Sequence, residues 1–203
     1  MIISPVYERD AAHLVAKNIG PEGQDLYLGG YESARDQALH KELGITTIVN
    51  CAVNLDINYV NEPYLAEEGE KLAGGSGVAR TYKMGLIDGP GNPHQMILAG
   101  YYLLDGAFNQ QLPEKPSYPN RDRGNVLIHC RGGRSRSVAI ASLFIHRQQQ
   151  DQYPTLQSAI DVVRERRDLR PDEWFETPKP SLVEAIKKAN SMLELLDEHG
   201  FNE

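Results

Sequence analysis

Apolar patterns along this chain alternate between strand and helix and then turn wholly helical, which predicts an α/β fold: one domain, with a central, mostly parallel sheet flanked by helices. Three observations carry that expectation. Short strand-like runs recur as "DLYLGG", "ITTIVN" and "NVLIHC"; helical spacings separate and follow them; no fixed-period repeat or low-complexity tract divides the chain. With 203 residues, 40% of them hydrophobic and 24% charged, the chain can bury one full core, and nothing in its composition forces a second. A single domain over residues 1–203 is expected, with its core at about residues 24–196.

Taken in order, Asp25 to Gly30 reads as the first strand. "YESARDQALHKELG" reads as one helix, with Ala34, Ala38 and Leu39 inward and a stop at Gly44. "ITTIVN" is a β-branched strand. From Asn54 to Gly77 the chain is polar and glycine-rich, a loop with one short helix. "VARTYKMGLID" is a strand that runs into "GPGNP", a turn signal. From His94, the spacing of Ile97, Tyr101, Leu104 and Phe108 is helical, and "QLPEKPSYPNRDRG" is a proline-rich surface connection. The strand "NVLIHC" follows, then three helices at about Ser135–Gln149, Thr155–Arg167 and Ser181–Leu196.

Composition removes several classes of function. The longest apolar candidate, Val138–Ile145, is eight residues with a serine inside, against roughly 18–20 for a membrane span, so stable membrane insertion is not expected. The start "MIISPVYERDAAH" lacks a basic region and a long apolar centre, which argues against a secretory signal and for a cytoplasmic protein. A net charge of −7 disfavours a general nucleic-acid surface, so any anion binding must be local. Two cysteines, Cys51 and Cys130, are too few for a disulfide framework or a zinc site, and the six histidines have no metal-ligand spacing. No metal or cofactor is expected, and cysteine chemistry here is that of a thiol. A monomer is expected.

The informative stretch is "VLIHCRGGRSRSVAI", Val126–Ile140. A buried-strand pattern ends at His129, and an almost wholly apolar helix begins near Ser137. Ligands of such sheets sit at the carboxyl ends of strands, where strand gives way to loop and helix. Gly132 and Gly133 allow the intervening backbone to curl until successive N–H groups point at one centre, an anion nest at a helix N-terminus. Arg136 can return to that centre with a planar fork of donors that grips two phosphate oxygens, which a lysine cannot do. A cysteine at the start of the nest feels the same donors, so Cys130 is expected as a thiolate. The alternative is a structural cysteine before a glycine turn with solvated arginines around it.

At these residues the chain resembles the dual-specificity branch of the protein tyrosine phosphatase superfamily, whose signature is His-Cys-x-x-Gly-x-Ser-Arg-Ser. His129, Cys130, Gly133, Ser135, Arg136 and Ser137 fill its fixed positions. "DLYLGGYESARDQALHKELGITTIVNCA" and "AIDVVRERRDLRPDEWF" extend the likeness over roughly Gln24–Leu196, with a longer loop near Pro113–Gly124 and with Asp172 where many relatives have Asn. The resemblance implies a cysteine-phosphatase fold and a nucleophile, Cys130, that carries the phosphoryl group as a thiophosphate. Arg131, Gly132, Gly133, Arg134, Ser135 and Arg136 would bind the phosphate, Ser137 would bond the thiolate, and His129 would order the loop and tune Cys130. Asp88, in "DGPGNP", matches the flexible acid loop, with Asp105 and Asp172 weaker candidates; without the resemblance it reads as an Asp-Gly turn. Some relatives also have a cysteine that pairs with the nucleophile on oxidation, and Cys51 stands at the corresponding strand end.

The implied substrates are phosphorylated proteins. No counterpart of a tyrosine-specific recognition loop is found between Gly30 and Val60, which fits a shallow pocket taking phosphoserine, phosphothreonine and phosphotyrosine. Phosphoinositides are the nearest alternative, suggested by the extra cations Arg131 and Arg134. A sulfurtransferase or arsenate reductase would not require Asp88, and a non-catalytic phosphate-binding module would not require Cys130.

Overall fold

The computed structural model describes residues 7–59 and 77–201. Five strands form one sheet in the order β1-β2-β5-β3-β4: β1 Ala12–Ala16, β2 Leu26–Gly29, β3 Ile45–Ala52, β4 Arg80–Leu86 and β5 Asn125–His129. The last four are mutually parallel, while β1 is antiparallel to β2 at the edge. The α/β class and the mostly parallel sheet are therefore as the sequence predicts. The β1 strand is an addition: "AHLVA" buries only Val15 and Ala16, too short an alternation to stand out. Most of the short helix expected in 54–77 lies outside the described residues.

Helices cover both faces: α1 Tyr31–Arg35, α2 Gln37–Glu42, α3 His94–Asn109, α4 Arg136–Gln148, α5 Leu156–Arg166 and α6 Pro180–Glu198. The single helix expected over 31–44 is broken at Asp36, which stays extended and accepts the Leu39 N–H at 3.0 Å as the N-cap of α2. An aspartate offers the backbone its own acceptor, and here that competes successfully with helix continuation. The break changes the inward face, so Ala38 is exposed and Leu39 only half-buried, while His40 is buried. Gly44, at φ +62°, follows α2 in the left-handed conformation that a helix end favours.

The major core lies between the sheet and α3–α6. Val126 and Ile128 of β5 belong to it, as do Ile97, Tyr101, Leu104 and Phe108 of α3. Leu127 joins a smaller cluster with Ala34, Ile45 and Ile48. Alternation along β5 gives His129 the face of Leu127, and Cys130 joins the major core with Ile128. The α4 helix is buried from Arg136 to His146, as an apolar run of that kind requires.

Phe144 locks α4 in place. It is 1% exposed, stacks on Phe108 with ring centroids 5.4 Å apart and tilts against Tyr101 at 5.8 Å. Phe144→Ala removes those contacts and leaves a cavity, so a loss of about 3–5 kcal/mol is expected. Urea unfolding followed by circular dichroism checks this; a loss under about 1 kcal/mol would mean that the α3–α4 contact does not hold the core.

Candidate active site

The loop from Cys130 to Ser135 joins β5 to α4 at the carboxyl edge of the sheet, where the sequence places the anion nest. Gly133 makes the curl possible. Its φ is +62°, and a Cβ there would lie 2.5 Å from the Gly29 carbonyl oxygen, so glycine is demanded both by conformation and by space. Gly132 carries no such demand, since a Cβ at that position meets nothing closer than 3.7 Å. The Tyr31 N–H donates to the Arg131 carbonyl at 2.9 Å, fastening the start of α1 to the same loop.

Cys130 is buried at the focus of the curl. Burial pushes its thiol up, but the opposing interactions win. The Ser137 hydroxyl donates to Sγ at 3.3 Å; the N–H groups of Ser137 and Arg134 donate to it as well, and the Arg136 guanidinium faces it. The net result is a thiol below its ordinary range, as an activated nucleophile requires. Cys51 has the opposite fate: burial raises its thiol, and the neighbouring Cys130 charge raises it further. The β3–β5 register pairs Asn50 with His129, which leaves the two cysteines one step farther along adjacent strands.

Arg136 is 3% exposed. Its Nη1 donates to Asn54 Oδ1 at 2.8 Å and to the Leu86 carbonyl at 3.4 Å, while Nε has no partner among the described residues. One side of the guanidinium is thus fixed and another donor is held ready. His129 is fully buried, with Nδ1 3.3 Å from the Cys130 carbonyl. A carbonyl only accepts, so Nδ1 carries the proton. Burial lowers the His129 pKa to about 4, against a smaller upward pull from that carbonyl, and His40 and Arg136 lower it further. Neutral His129 therefore supports the loop as a hydrogen-bond donor.

Asp88 lies on the loop after β4 and lines a cavity of about 480 Å³ together with Cys130, Arg131, Gly132, Ser135 and Arg136. The segment expected to be flexible is tied down: Asn92 accepts the Ile87 N–H and donates to the Ile87 and Gly89 carbonyls at 2.8–3.0 Å. Lys179, the N-cap of α6, steadies it, with Nζ 3.0 Å from the Asp88 carbonyl and 3.4 Å from its carboxylate. The backbone N–H of Lys179 reaches Ser135 Oγ at 3.2 Å, linking the Asp88 loop to the Cys130–Ser135 loop. Asp105 lies on α3, where its carboxylate accepts from Asn109, and Asp172 accepts from Tyr7; neither lines this cavity.

Several contacts around the site leave no mark in the sequence. Arg134, an expected phosphate ligand, turns its side chain to Glu173 at 3.0 Å and Glu176 at 2.9 Å. Glu173 is fully buried and also pairs with Arg9 at 2.6 Å. Arg167 donates to the Gly133 carbonyl at 3.2 Å and to the Asp10 carbonyl at 2.8 Å. Burial, with Arg9 nearby, lowers its pKa to about 10, so it stays cationic beneath the loop. Asn54, Arg9 and Lys179 are single residues outside any motif; Arg167 lies in "RRDLRPDEWFE", which hints at paired charges only through its density.

No family model matches the chain. Solved structures do share its fold. Human DUSP28 aligns with a TM-score of 0.58 and 18% identity over 95% of this chain and 99% of that one. The Yvh1 phosphatase domain from Chaetomium thermophilum gives 0.60 and 17%, over 82% and 90%. The human tyrosine phosphatase-like serine/threonine/tyrosine-interacting protein gives 0.53 and 21%, over 83% and 92%. The chain thus has the cysteine-phosphatase fold that its loop implies.

Two outcomes test this geometry. Alkylation of Cys130 by iodoacetamide should have a pH midpoint below that of a free thiol, and Ser137→Ala should move it upward by about one unit through loss of a hydrogen bond to a charged group. An unchanged midpoint would remove Ser137 from the thiolate's environment. Gly133→Ala should cost at least about 2 kcal/mol in chemical unfolding while Gly132→Ala costs under about 1; equal costs would contradict the loop conformation.

Proposed function

We propose that this protein is a cysteine-dependent phosphatase that hydrolyses phosphomonoesters on phosphotyrosine, phosphoserine and phosphothreonine proteins without a metal. One observation carries the reading: the Cys130 sulfur lies at the focus of converging donors, beside a buried and partly unpartnered Arg136 guanidinium, in a cavity that Asp88 also lines.

In this reading the Cys130 thiolate attacks phosphorus, the S–P bond forms, and the ester P–O bond breaks as Asp88 delivers a proton to the leaving oxygen. Water then attacks phosphorus and gives its proton to the Asp88 carboxylate. The S–P bond breaks, inorganic phosphate leaves, and the returning thiolate is received by Ser137. Arg136 and the loop N–H groups hold the equatorial oxygens through both steps, so the cation and dipoles that a metal would supply are already in place. Asn54 keeps the guanidinium in register, and Lys179 holds the loop that carries Asp88.

The protein-directed reading is favoured over the phosphoinositide one by Arg134. Two extra cations in the loop suit a polyanionic headgroup, but Glu173 and Glu176 neutralise one of them. Both arginines line the cavity, but Arg134 is held in ion pairs and, of the two, only Arg131 is exposed. The non-catalytic alternative is disfavoured by the lowered Cys130 thiol, a property that binding alone does not need.

Purified protein should turn over a small aryl phosphate in the presence of a chelator, and phosphopeptides faster than soluble phosphoinositides. Cys130→Ser should abolish turnover while retaining phosphate binding, and Arg136→Lys should cost about 3 kcal/mol in kcat/KM. Chelator-sensitive activity or an active Cys130→Ser would overturn the mechanism. Asp88→Asn should slow substrates with poor leaving groups by about 10² to 10⁴ and activated aryl esters much less; equal losses would assign the acid elsewhere.

Peroxide tests the role of Cys51. Oxidation of the Cys130 thiolate to a sulfenic acid, followed by attack of the Cys51 thiol with loss of water, would give a disulfide. Peptide mapping should find this link in the wild type, and Cys51→Ser should accumulate sulfinic acid at Cys130 faster. Equal rates would leave Cys51 as core packing.

A further inference from the structure

The segment ahead of β1 reaches the candidate active site. Tyr7 and Arg9 line the same cavity as Cys130, Asp88 and Arg136. Both are fixed to the turn that follows α5. The Tyr7 hydroxyl donates to the Asp172 carboxylate, and the Arg170 guanidinium sits 4.3 Å from the Tyr7 ring centroid. Arg9 pairs with the buried Glu173, and Arg167 holds the Asp10 carbonyl at 2.8 Å. Of the five described residues ahead of β1, three are thereby anchored, and the ring at the cavity wall is held from two sides.

Tyr7 differs in kind from the rest of that wall. The other described residues lining the cavity are charged, hydroxylic or glycine, apart from the nucleophile itself, and Tyr7 is the aromatic one. Charged and hydroxyl groups grip a phosphoryl group in the same way whatever it esterifies. A ring on the wall reads the other side of the ester bond. An aryl ester places a flat ring next to phosphorus, whereas a seryl or threonyl ester places only a saturated carbon there. Aromatic pairs gain from offset or edge-on contact beyond their buried area. The bond to Asp172 raises the Tyr7 pKa, so the phenol stays neutral and adds no negative charge beside an anion site.

We propose that Tyr7, held by Asp172 and Arg170 at the wall of the Cys130 cavity, is a specificity-determining residue that favours aryl over alkyl phosphomonoesters, and hence phosphotyrosyl over phosphoseryl and phosphothreonyl side chains. The proposal rests on the phosphatase reading above and refines its substrate class. Because the ring contacts a part of the substrate that does not react, it acts alike on ground state and transition state and is read in KM rather than kcat.

The experiment uses two peptides that differ only in phosphotyrosine or phosphoserine, with the full chain as wild type, Tyr7→Ala and Tyr7→Phe. Tyr7→Ala should raise KM for the phosphotyrosyl peptide by roughly 3- to 10-fold with kcat within about twofold, and lower the phosphotyrosyl-to-phosphoseryl ratio of kcat/KM by the same factor. Tyr7→Phe keeps the ring and should keep the ratio, even though it loses the bond to Asp172. An active wild type whose ratio is unchanged in Tyr7→Ala overturns the proposal alone, as does a Tyr7→Phe ratio that falls as far as that of Tyr7→Ala. A wild type that turns over neither peptide nor an aryl phosphate overturns the phosphatase reading and this proposal with it.

Discussion

A thiol buried at the end of a β-strand can ionise only if its charge is met where it sits, and the surroundings of Cys130 answer that constraint. Water cannot do it, since the residue is 2% exposed. The charge is met instead by the Ser137 hydroxyl, two backbone N–H groups and a guanidinium. Donors of this kind serve only if they are already aimed, because reorienting them in a packed interior would consume the stabilisation they provide. The left-handed turn at Gly133, the complete burial of α4 and the placement of Ser137 on its first turn supply that aim. In the proposed reading the same donors hold the oxygens of a bound phosphoryl group, so one arrangement would serve both nucleophile and ligand.

The layer beneath the loop is held by charge pairs far apart in sequence. Arg9, Glu173, Arg134 and Glu176 form a chain of ion pairs, with Glu173 fully buried at its centre. A buried carboxylate is costly unless each oxygen has a cationic or N–H partner; Glu173 has Arg9, Arg134 and the Arg170 N–H at 3.0 Å. Arg134 therefore contributes to the site mainly through its backbone, with its side chain holding the loop to the turn after α5. Arg167 adds a second tether through the Gly133 carbonyl. These contacts come from the segment before β1 and from the turn before α6, which brings both ends of the fold to one loop.

On the other face of the sheet, His40 stands close enough to His129 to oppose its protonation. His40 Nε2 is 2.7 Å from the Ser33 carbonyl, and Ser33 Oγ donates to the Gly30 carbonyl at 2.8 Å, so the α1–α2 region and the nest share a hydrogen-bonded layer. With the His129 pKa near 4, the folded state refuses a proton that the unfolded chain accepts near pH 6.5. The neutral histidine contributes stability above pH 6.5 that is lost as pH falls toward 4.

The sequence by itself determined the sheet class, the strand–loop–helix junction, and the identity of Cys130, Gly133, Arg136 and Ser137 as one constellation. These are local facts: periodicity, a glycine turn, and residues within eight positions whose geometry is set by the backbone that joins them. That Asp88 lines the same cavity is foreshadowed only through the family resemblance, since an Asp-Gly turn has no local signature of a site residue. The break at Asp36 went unread because a capping aspartate and a helical one look alike until the chain on either side is placed. Tertiary structure alone decided that Arg134 pairs with two glutamates at the cavity wall, that Asn54 holds Arg136, that Lys179 holds the Asp88 loop, and that Tyr7 joins the same wall. Each of those contacts joins residues 39 to 165 positions apart. Their partners are chosen by packing across the sheet edge, and no pattern within a window of sequence can specify which distant charge a side chain will meet.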